Sequence, residues 1–203
     1  SEEDVHKYAK VGARSLFLPP GANPYIFSAL SSPRDIPVSF VGQCYGIRPN
    51  MIAFLKDHGI SVQTFGKGWP SAELSQQEMN GIYSRSLINL GFGLIGDSTQ
   101  LAGVKCRDFE VPLMGGLYLT THNQELKNCF TIGEEIDCYR NEMELLSKLR
   151  YYTTYPDIAL KIGASGKRRC LQDHTWVSRF ETILTCVGLS DHTLEISKRR
   201  RQA

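Results

Sequence analysis

The sequence lacks most of the features that identify a function directly. Its six cysteines form no C-x-x-C pair, which argues against a zinc site or a disulfide scaffold and predicts reduced, mostly buried thiols and no bound metal. It contains no run of roughly 18 apolar residues and no signal-peptide pattern at its start. We therefore expect no transmembrane segment and a cytoplasmic location. The formal net charge of only +2 argues against nucleic acid as the main partner.

Charge of one sign is concentrated only near the end of the sequence. The basic run KRRR at 198–201 is typical of a solvated tail. The chain of 203 residues is 41% hydrophobic, which is enough for a substantial core. We predict one domain over residues 1–190, followed by a basic, flexible tail over 191–203.

The apolar spacing alternates between the strand period and the helix period. VSFV at 38–41 is typical of a buried strand, helical spacing follows at 51–58, and 60–65 is a second strand. The short connections predict a parallel pair joined by a right-handed crossover. Further strands and helices follow in turn. The sequence thus predicts an α/β domain with a mostly parallel sheet flanked by helices.

Two predictions concern the ends of that domain. SLFL at 15–18 is predicted as a brief strand that the following prolines end. Apolar residues recur at helical spacing after Thr175, which predicts a last helix with one face in the core. That face consists of Val177, Phe180, Ile183, Leu184 and Val187.

The stretch KCRDFEVPLMGGLYLT at 105–120 combines a charged cluster with an apolar run. We interpret it as a short helix, a tight glycine turn and a buried strand. The free N–H groups and the dipole at a helix N-terminus favour a bound anion, so a phosphate-bearing ligand is the first hypothesis. A solvated, salt-bridged turn is the alternative that the pattern leaves open. The charged residues are Lys105, Arg107, Asp108 and Glu110.

Three loops, at 42–48, 66–70 and 91–110, are predicted to meet at the carboxyl ends of the parallel strands, where such sheets bind ligands. Their cations, glycine backbone, aromatic ring and carboxylate suit a nucleoside diphosphate, with the cations on the phosphates. Trp69 could flank a base, although tryptophan before proline is also typical of a packing anchor. Glu110 could accept hydrogen bonds from ribose hydroxyls. The cations are Arg48, Lys67, Lys105 and Arg107.

A G-x-G-x-x-G match at Gly91, Gly93 and Gly96 offers another interpretation. A dinucleotide fingerprint requires a helix to begin within the motif, after the first strand of the unit. Here no helix is predicted at Gly96 and the preceding strand is the third. The pattern favours a flexible loop and leaves an NAD-dependent oxidoreductase as the lesser alternative.

Two histidines are candidates for acid–base chemistry. His122 follows the predicted strand at 117–120, which places it at the ligand-binding edge. His174 stands beside a helix cap, where a structural role is the better interpretation. No serine or cysteine has the context of a nucleophile elbow, which argues against a hydrolase.

Four sequence blocks, taken in order, resemble a known family. They are VSFVG followed by Arg48, then CRDFEVPLMGGLYLT, EIDCYRNEMELLSKLRYYTTYPD and DHTWVSRFETIL. Together they resemble the C-terminal, donor-binding domain of GT-B glycosyltransferases, and most closely the CgeB-like group of the group-1 glycosyltransferase superfamily. The resemblance extends from Leu16 to Val187. Its most specific parts are RDFE-x-P-x-x-G-G and the H-T-x-x-x-R pattern that begins at His174.

The resemblance implies a role for the first loop. In the superfamily, a Gly-Arg pair and a lysine six residues past that glycine contact the donor diphosphate. Here Gly42 is present, Gln43 replaces the arginine, and Arg48 stands at the lysine position. Arg48 would stabilise charge on the departing diphosphate, whereas Gln43 could donate only a neutral hydrogen bond. Lys105 and Arg107 would then supply the charge that Gln43 lacks.

The resemblance also implies a role for Glu110. It matches the second glutamate of a superfamily pair, which contacts the ribose, while the first would fall at Ala102. We therefore assign Arg48 and Glu110 as catalytic candidates. The candidate nucleotide-sugar-binding residues are Gly42, Gln43, Trp69, Lys105, Arg107, Asp108, Glu110 and His122.

What the resemblance implies overall is a Rossmann-like domain, one half of a GT-B fold. It would bind a nucleotide-diphosphate sugar for transfer to a glycan, protein or small-molecule acceptor, with no cofactor and no essential metal. The acceptor-binding domain normally comes first in such enzymes and is missing here, so we expect a fragment of a longer protein. The departures at Gln43 and Ala102 leave a non-catalytic nucleotide-sugar-binding or interaction module as the alternative.

Overall fold

The computed structural model describes residues 2–71, 73–93 and 102–189. The predicted tail at 191–203 and Gly96, the last glycine of the possible dinucleotide fingerprint, lie outside the described residues.

The described strands form a five-stranded sheet in the order β2-β1-β3-β4-β5. Every neighbouring pair is parallel, which confirms the predicted α/β fold and the predicted strand–helix–strand unit. The second strand is shorter than the predicted 60–65. The strands are β1 (Ile36–Val41), β2 (Gln63–Phe65), β3 (Ser86–Leu90), β4 (Leu117–Thr121) and β5 (Asp137–Tyr139).

Eight α-helices and one 3-10 turn accompany these strands in the described ranges, and several begin at a side-chain cap. Ser75 and Glu78 form a capping box, and the Asn141 side chain accepts the N–H of Glu144. The helices are α1 (Glu2–Lys10), α2 (Arg48–Asp57), α3 (Gln76–Arg85), α4 (Arg107–Glu110), α5 (Gln124–Cys129), α6 (Glu142–Thr154), α7 (Pro156–Asp173) and α8 (Trp176–Cys186), and the 3-10 turn is Pro112–Met114.

The sheet is covered on both faces, so its inner strands are buried throughout. All five residues of β3 and all five of β4 are buried. One core cluster includes Phe40, Leu55 and Leu149, from β1, α2 and α6. The other includes Phe109 and Tyr118, from α4 and β4. Strands buried on both faces explain why the sequence shows apolar runs and little alternation.

Two predictions for the ends of the chain are wrong. Residues 15–18 form no strand, and the chain just beyond them is held by α8, because Arg179 Nε donates to the Pro19 carbonyl at 2.9 Å. The predicted core face of α8 is largely exposed: Val177 is 63%, Phe180 58% and Val187 61% accessible. Arg179 is the buried residue of α8, so the helix docks through a polar contact.

The long helix α7 approaches the glycine turn before β4 very closely. A Cβ at Gly163 would lie 2.6 Å from the Gly115 carbonyl oxygen and from the Gly116 carbonyl carbon. Gly115 has a φ of +76°, which a glycine adopts without strain. These atoms belong to the backbone and cannot move aside as the end of a flexible side chain could. The packing of α7 on the turn therefore requires glycine at 163.

Gly163→Ala is expected to lower the free energy of unfolding by about 1–3 kcal/mol, because the added methyl overpacks a rigid contact. Gly81→Ala is the matched control: Gly81 lies in α3, and a Cβ there meets nothing within 4 Å. That control should stabilise the fold by about 0.4–1 kcal/mol. Urea denaturation measures both, and equal stability of the two variants would contradict the packing argument.

Candidate functional site

The chain order of the sheet creates a crevice at the carboxyl ends of β1 and β3. From β1 the chain crosses to β2 on one side, and it later returns to β3 on the other side of β1. Ligands bind in open α/β sheets at such a switch point, because the two loops leave in opposite directions. The loop at 42–48 follows β1, and the loop that begins at Gly91 follows β3.

The loop after β1 is fastened to the loop after β2. The N–H of Gly42 donates to the Phe65 carbonyl, and that of Cys44 donates to the Lys67 carbonyl, both at 2.8 Å. Trp69 Nε1 donates to the Gly42 carbonyl at 2.8 Å, and its ring meets the Phe40 ring edge-on. Trp69 therefore has the contacts of a packing anchor, the alternative that its position before Pro70 suggested.

Arg48 begins α2 and is 5% exposed. Its guanidinium donates to the Gln43 carbonyl at 2.8 Å and to the Tyr45 hydroxyl at 3.2 Å. It also lies 4.1 Å from the centre of the Tyr45 ring and 5.5 Å from that of Phe40. Burial lowers the pKa of Arg48, and neighbouring Arg107 lowers it further, while Tyr45 opposes the change. Gln43 contributes its carbonyl here, and its side chain is exposed.

Arg107 reaches the same place from α4. Its guanidinium carbon also lies 5.5 Å from the centre of the Phe40 ring. A Cβ at Gly42 would lie 2.8 Å from Arg107 Nη2, so the glycine makes room for the cation. Burial lowers the pKa of Lys105, and the positive charge of Arg48 lowers it further. The structure thus brings together Arg48, Arg107 and Lys105, three of the four predicted cations. Lys67 lies on the β2 loop and is exposed.

Asp108 faces the interior and is 3% exposed. One carboxylate oxygen accepts the Tyr118 hydroxyl at 2.6 Å, and the other accepts the Lys105 N–H at 2.7 Å. These contacts give Asp108 a role in shaping the charged turn. They also exclude the solvated-turn interpretation, because a carboxylate at the centre of the cluster is buried.

Glu110 differs from Asp108 in its surroundings. It is half-buried, and within the ranges that the structure describes its carboxylate has no hydrogen bond or ion pair. Burial raises the pKa of its carboxyl, Arg107 opposes that rise, and Asp108 adds to it. A half-buried acceptor with no internal partner is suited to an external donor such as a hydroxyl.

The short helix at the charged stretch is confirmed as α4, but it has only four residues and no side-chain cap. So few aligned peptide units add little to an anion site. The positive potential at the crevice comes instead from the three side chains.

The two histidines occupy different environments. His174 contacts the Cys129 carbonyl through Nε2 at 2.7 Å and Arg179 through Nδ1 at 2.9 Å, which supports the structural interpretation. His122 follows β4, and its Nε2 is buried with no hydrogen-bond partner in the described chain. Burial lowers the pKa of His122, and Arg140 lowers it further, so the neutral form is favoured.

No direct sequence signal identified Tyr45 and Phe40, the rings against which the guanidinium groups lie. In the sequence, Phe40 is one of several apolar residues of a strand. Its position near the end of β1, beneath two guanidinium groups, is visible only in the structure. Tyr45 carried one usable signal, an aromatic residue next to Gly46 in a loop at the ligand-binding edge. The six cysteines are free, and Cys129, Cys138 and Cys170 are buried, whereas Cys106 and Cys186 are exposed.

Asp108→Ala is expected to lower the free energy of unfolding by about 1–3 kcal/mol, because it leaves the buried Tyr118 hydroxyl without an acceptor. Asp108→Asn keeps one carbonyl oxygen and should cost less. Chemical denaturation of the two variants measures the difference. An Asp108→Ala variant as stable as the parent would show that the contact to Tyr118 contributes nothing.

Glu110→Gln is expected to stabilise the fold at neutral pH. Because the folded-state pKa of Glu110 is raised, the carboxylate costs stability as pH rises from the unfolded-state pKa through the folded-state pKa. Glutamine does not titrate, so the two proteins should be equally stable at low pH and diverge above that interval. Thermal unfolding at a series of pH values tests this. A constant difference at all pH values would contradict the titration argument.

No helix in the described ranges is long and apolar enough to cross a membrane. Nor do the described residues contain a group of three or more His, Cys, Asp or Glu side chains that could hold a metal ion.

Several solved structures have a fold similar to that of this chain. Sucrose-phosphate synthase from Thermosynechococcus elongatus is similar over 97% of this chain and 56% of its own, with 13% identity and a TM-score of 0.70. A glycosyltransferase from Rickettsia africae is similar over 82% and 55%, with 12% identity and a TM-score of 0.65. HepE from Anabaena, solved with UDP and glucose, is similar over 93% and 53%, with 10% identity and a TM-score of 0.59.

At these identities the similarity shows the fold, which is one half of a GT-B arrangement. The chain spans about half the length of the solved structures that it matches. No curated protein matches it significantly. A sequence model of the family described as glycosyl transferase-like matches residues 48–185, from the start of α2 into α8. Since that match covers more than half of the chain, the protein belongs to the glycosyl transferase-like family.

Proposed function

We propose that this chain is the donor-binding domain of a glycosyltransferase and binds a nucleotide-diphosphate sugar in the crevice between β1 and β3. One observation carries the proposal: Arg48 and Arg107 converge on the Phe40 ring from separate elements, at the switch point of the sheet. Like charges brought together in a half-buried place repel one another. A bound diphosphate would relieve that repulsion.

The cations would act on the charge that develops during transfer. The bond between the anomeric carbon and the phosphate oxygen breaks, and its electron pair stays on the nucleoside diphosphate. The acceptor hydroxyl oxygen bonds to the anomeric carbon, and its proton passes to the departing diphosphate or to solvent. Arg48, Arg107 and Lys105 would stabilise the departing diphosphate, and such positioned charges are most effective where water is excluded.

The remaining site residues have supporting roles in the proposal. Gly42 leaves the space that the Arg107 guanidinium uses, and the exposed Gln43 side chain could donate a neutral hydrogen bond to phosphate. Glu110 would accept from a ribose hydroxyl, because its carboxylate has no internal partner. Asp108 would position the charged turn. His122, at the end of β4, would meet the ligand in its neutral form.

UDP is the first nucleotide to test, because HepE from Anabaena was solved with UDP and glucose. We propose transfer without an essential metal, since the three cationic side chains gathered at the crevice would neutralise the diphosphate. Chelation with EDTA should therefore leave donor binding unchanged, and loss of binding would overturn the metal-free proposal.

Transfer itself is proposed for the protein with an acceptor-binding domain, because this chain corresponds to about half of the structures it resembles. The acceptor could be a glycan, a protein or a small molecule. A non-catalytic nucleotide-sugar-binding module is the second candidate, favoured by Gln43 and Ala102 where the superfamily has charged residues. Turnover assays on the full-length protein would separate the two.

Arg48→Ala and Glu110→Ala are each expected to weaken UDP binding by roughly 10- to 100-fold, the effect of losing a hydrogen bond to a charged group. Isothermal titration calorimetry with UDP, GDP and their sugars measures the dissociation constants. Arg85→Ala is the matched control, because Arg85 precedes β3 and pairs with Asp35 at the opposite edge of the sheet. Circular dichroism checks that the variants fold. No binding by the parent protein to any of these nucleotides would refute the proposed function.

A further inference from the structure

We propose that the Tyr45 side chain is a lid over the Arg48 guanidinium. The lid must move away before Arg48 can bind a diphosphate. The inference rests on the proposed function and concerns the regulation of the same site. It assigns to Tyr45 a positioning role that neither the family nor the charge pattern indicates.

Both terminal nitrogens of Arg48 already donate a hydrogen bond within the protein. One donates to the Gln43 carbonyl and the other to the Tyr45 hydroxyl, and the guanidinium carbon lies over the Tyr45 ring, 4.1 Å from its centre. Only 5% of Arg48 is exposed. A guanidinium binds phosphate through the edge that carries its terminal N–H groups, so a ligand cannot reach this edge while Tyr45 is in place.

The loop lets the Tyr45 side chain move while the backbone stays in place, because the Tyr45 carbonyl accepts the Arg48 N–H at 3.4 Å. Cys44 is fixed by its N–H bond to the Lys67 carbonyl, and Arg48 is fixed by the start of α2. Between them, Gly46 has a φ of +61°, a conformation that glycine adopts without strain. Tyr45 itself is 39% exposed, so its ring has room to rotate into solvent.

The lid has an energetic consequence for ligand binding. A ligand that binds only the open form has an apparent dissociation constant equal to the intrinsic value divided by the open fraction. The ring contact and the hydroxyl contact favour the closed form together by roughly 5- to 50-fold. Removing the ring should tighten diphosphate binding by that factor, whereas removing a residue that contacts the ligand would weaken it.

The first experiment measures UDP and inorganic pyrophosphate binding by calorimetry. Tyr45→Ala is expected to lower both dissociation constants by about 5- to 50-fold, and Tyr45→Phe, which keeps the ring, by less. Tyr25→Ala is the control, because Tyr25 is 95% exposed on a separate loop and should change neither. Unchanged or weaker binding by Tyr45→Ala would overturn the lid.

The second experiment reports on the lid without any nucleotide. Phenylglyoxal modifies accessible guanidinium groups, and peptide mass spectrometry follows the rate at each arginine. Modification of Arg48 should be several-fold faster in Tyr45→Ala than in the parent, measured against exposed Arg140 as an internal reference. An unchanged Arg48 rate overturns the lid, even if nucleotide binds. A faster Arg48 rate with no nucleotide binding by any variant supports the lid and refutes the proposed function.

Discussion

The Phe40 ring at the end of β1 is the feature on which the candidate site depends. Two guanidinium groups, from the start of α2 and from α4, lie at equal distances from its centre. An aromatic face attracts cations and partly offsets their mutual repulsion. Its edge contacts with Trp69 and Phe92 hold the ring itself in place. A local packing arrangement in the core thus determines where the positive charge appears at the surface.

Bringing these positive charges together costs electrostatic free energy, which the surrounding residues offset only in part. Asp108 lies beneath the cations as a buried carboxylate, and the Tyr118 hydroxyl and a backbone N–H satisfy its oxygens. Glu110 has no hydrogen bond to its carboxylate in the described ranges. Burial raises the pKa of its carboxyl, and the charge of Arg107 offsets that rise only in part. Groups that are poorly satisfied within the fold are common at sites that bind or react, because the ligand supplies what is missing. Burial raises the pKa of Asp108 as well, so the two carboxylates differ in their hydrogen bonds. Those bonds mark Asp108 as structural and leave Glu110 as the candidate binding residue.

The fold could be predicted from the sequence because buried strands appear as short apolar runs and helices as apolar residues at helical spacing. Both patterns are present in the segment that forms β1, α2 and β2. The candidate cations were also predictable, since loops after parallel strands meet at one edge. Contacts between distant parts of the chain were not. The α8 face was wrong as a core prediction because the helix docks through polar contacts, chiefly those of its buried residue Arg179. Trp69 and Asp108 are turned inward by partners that no local pattern reveals.

The departure at Gln43 acquires a physical meaning in this geometry. An arginine at 43 would have added a further cation to a crevice that already holds Arg48, Arg107 and half-buried Lys105. Beyond the effect of burial, the positive charge of Arg107 already lowers the pKa of both Arg48 and Lys105. With glutamine there, the proposed diphosphate would draw charge from the α4 side of the crevice, where Gly42 leaves space for the Arg107 guanidinium. The proposed lid would also reduce the repulsion between the cations. While no ligand is bound, the Tyr45 ring and hydroxyl contact the Arg48 guanidinium and stabilise its charge, which lies close to the positive charge of Arg107.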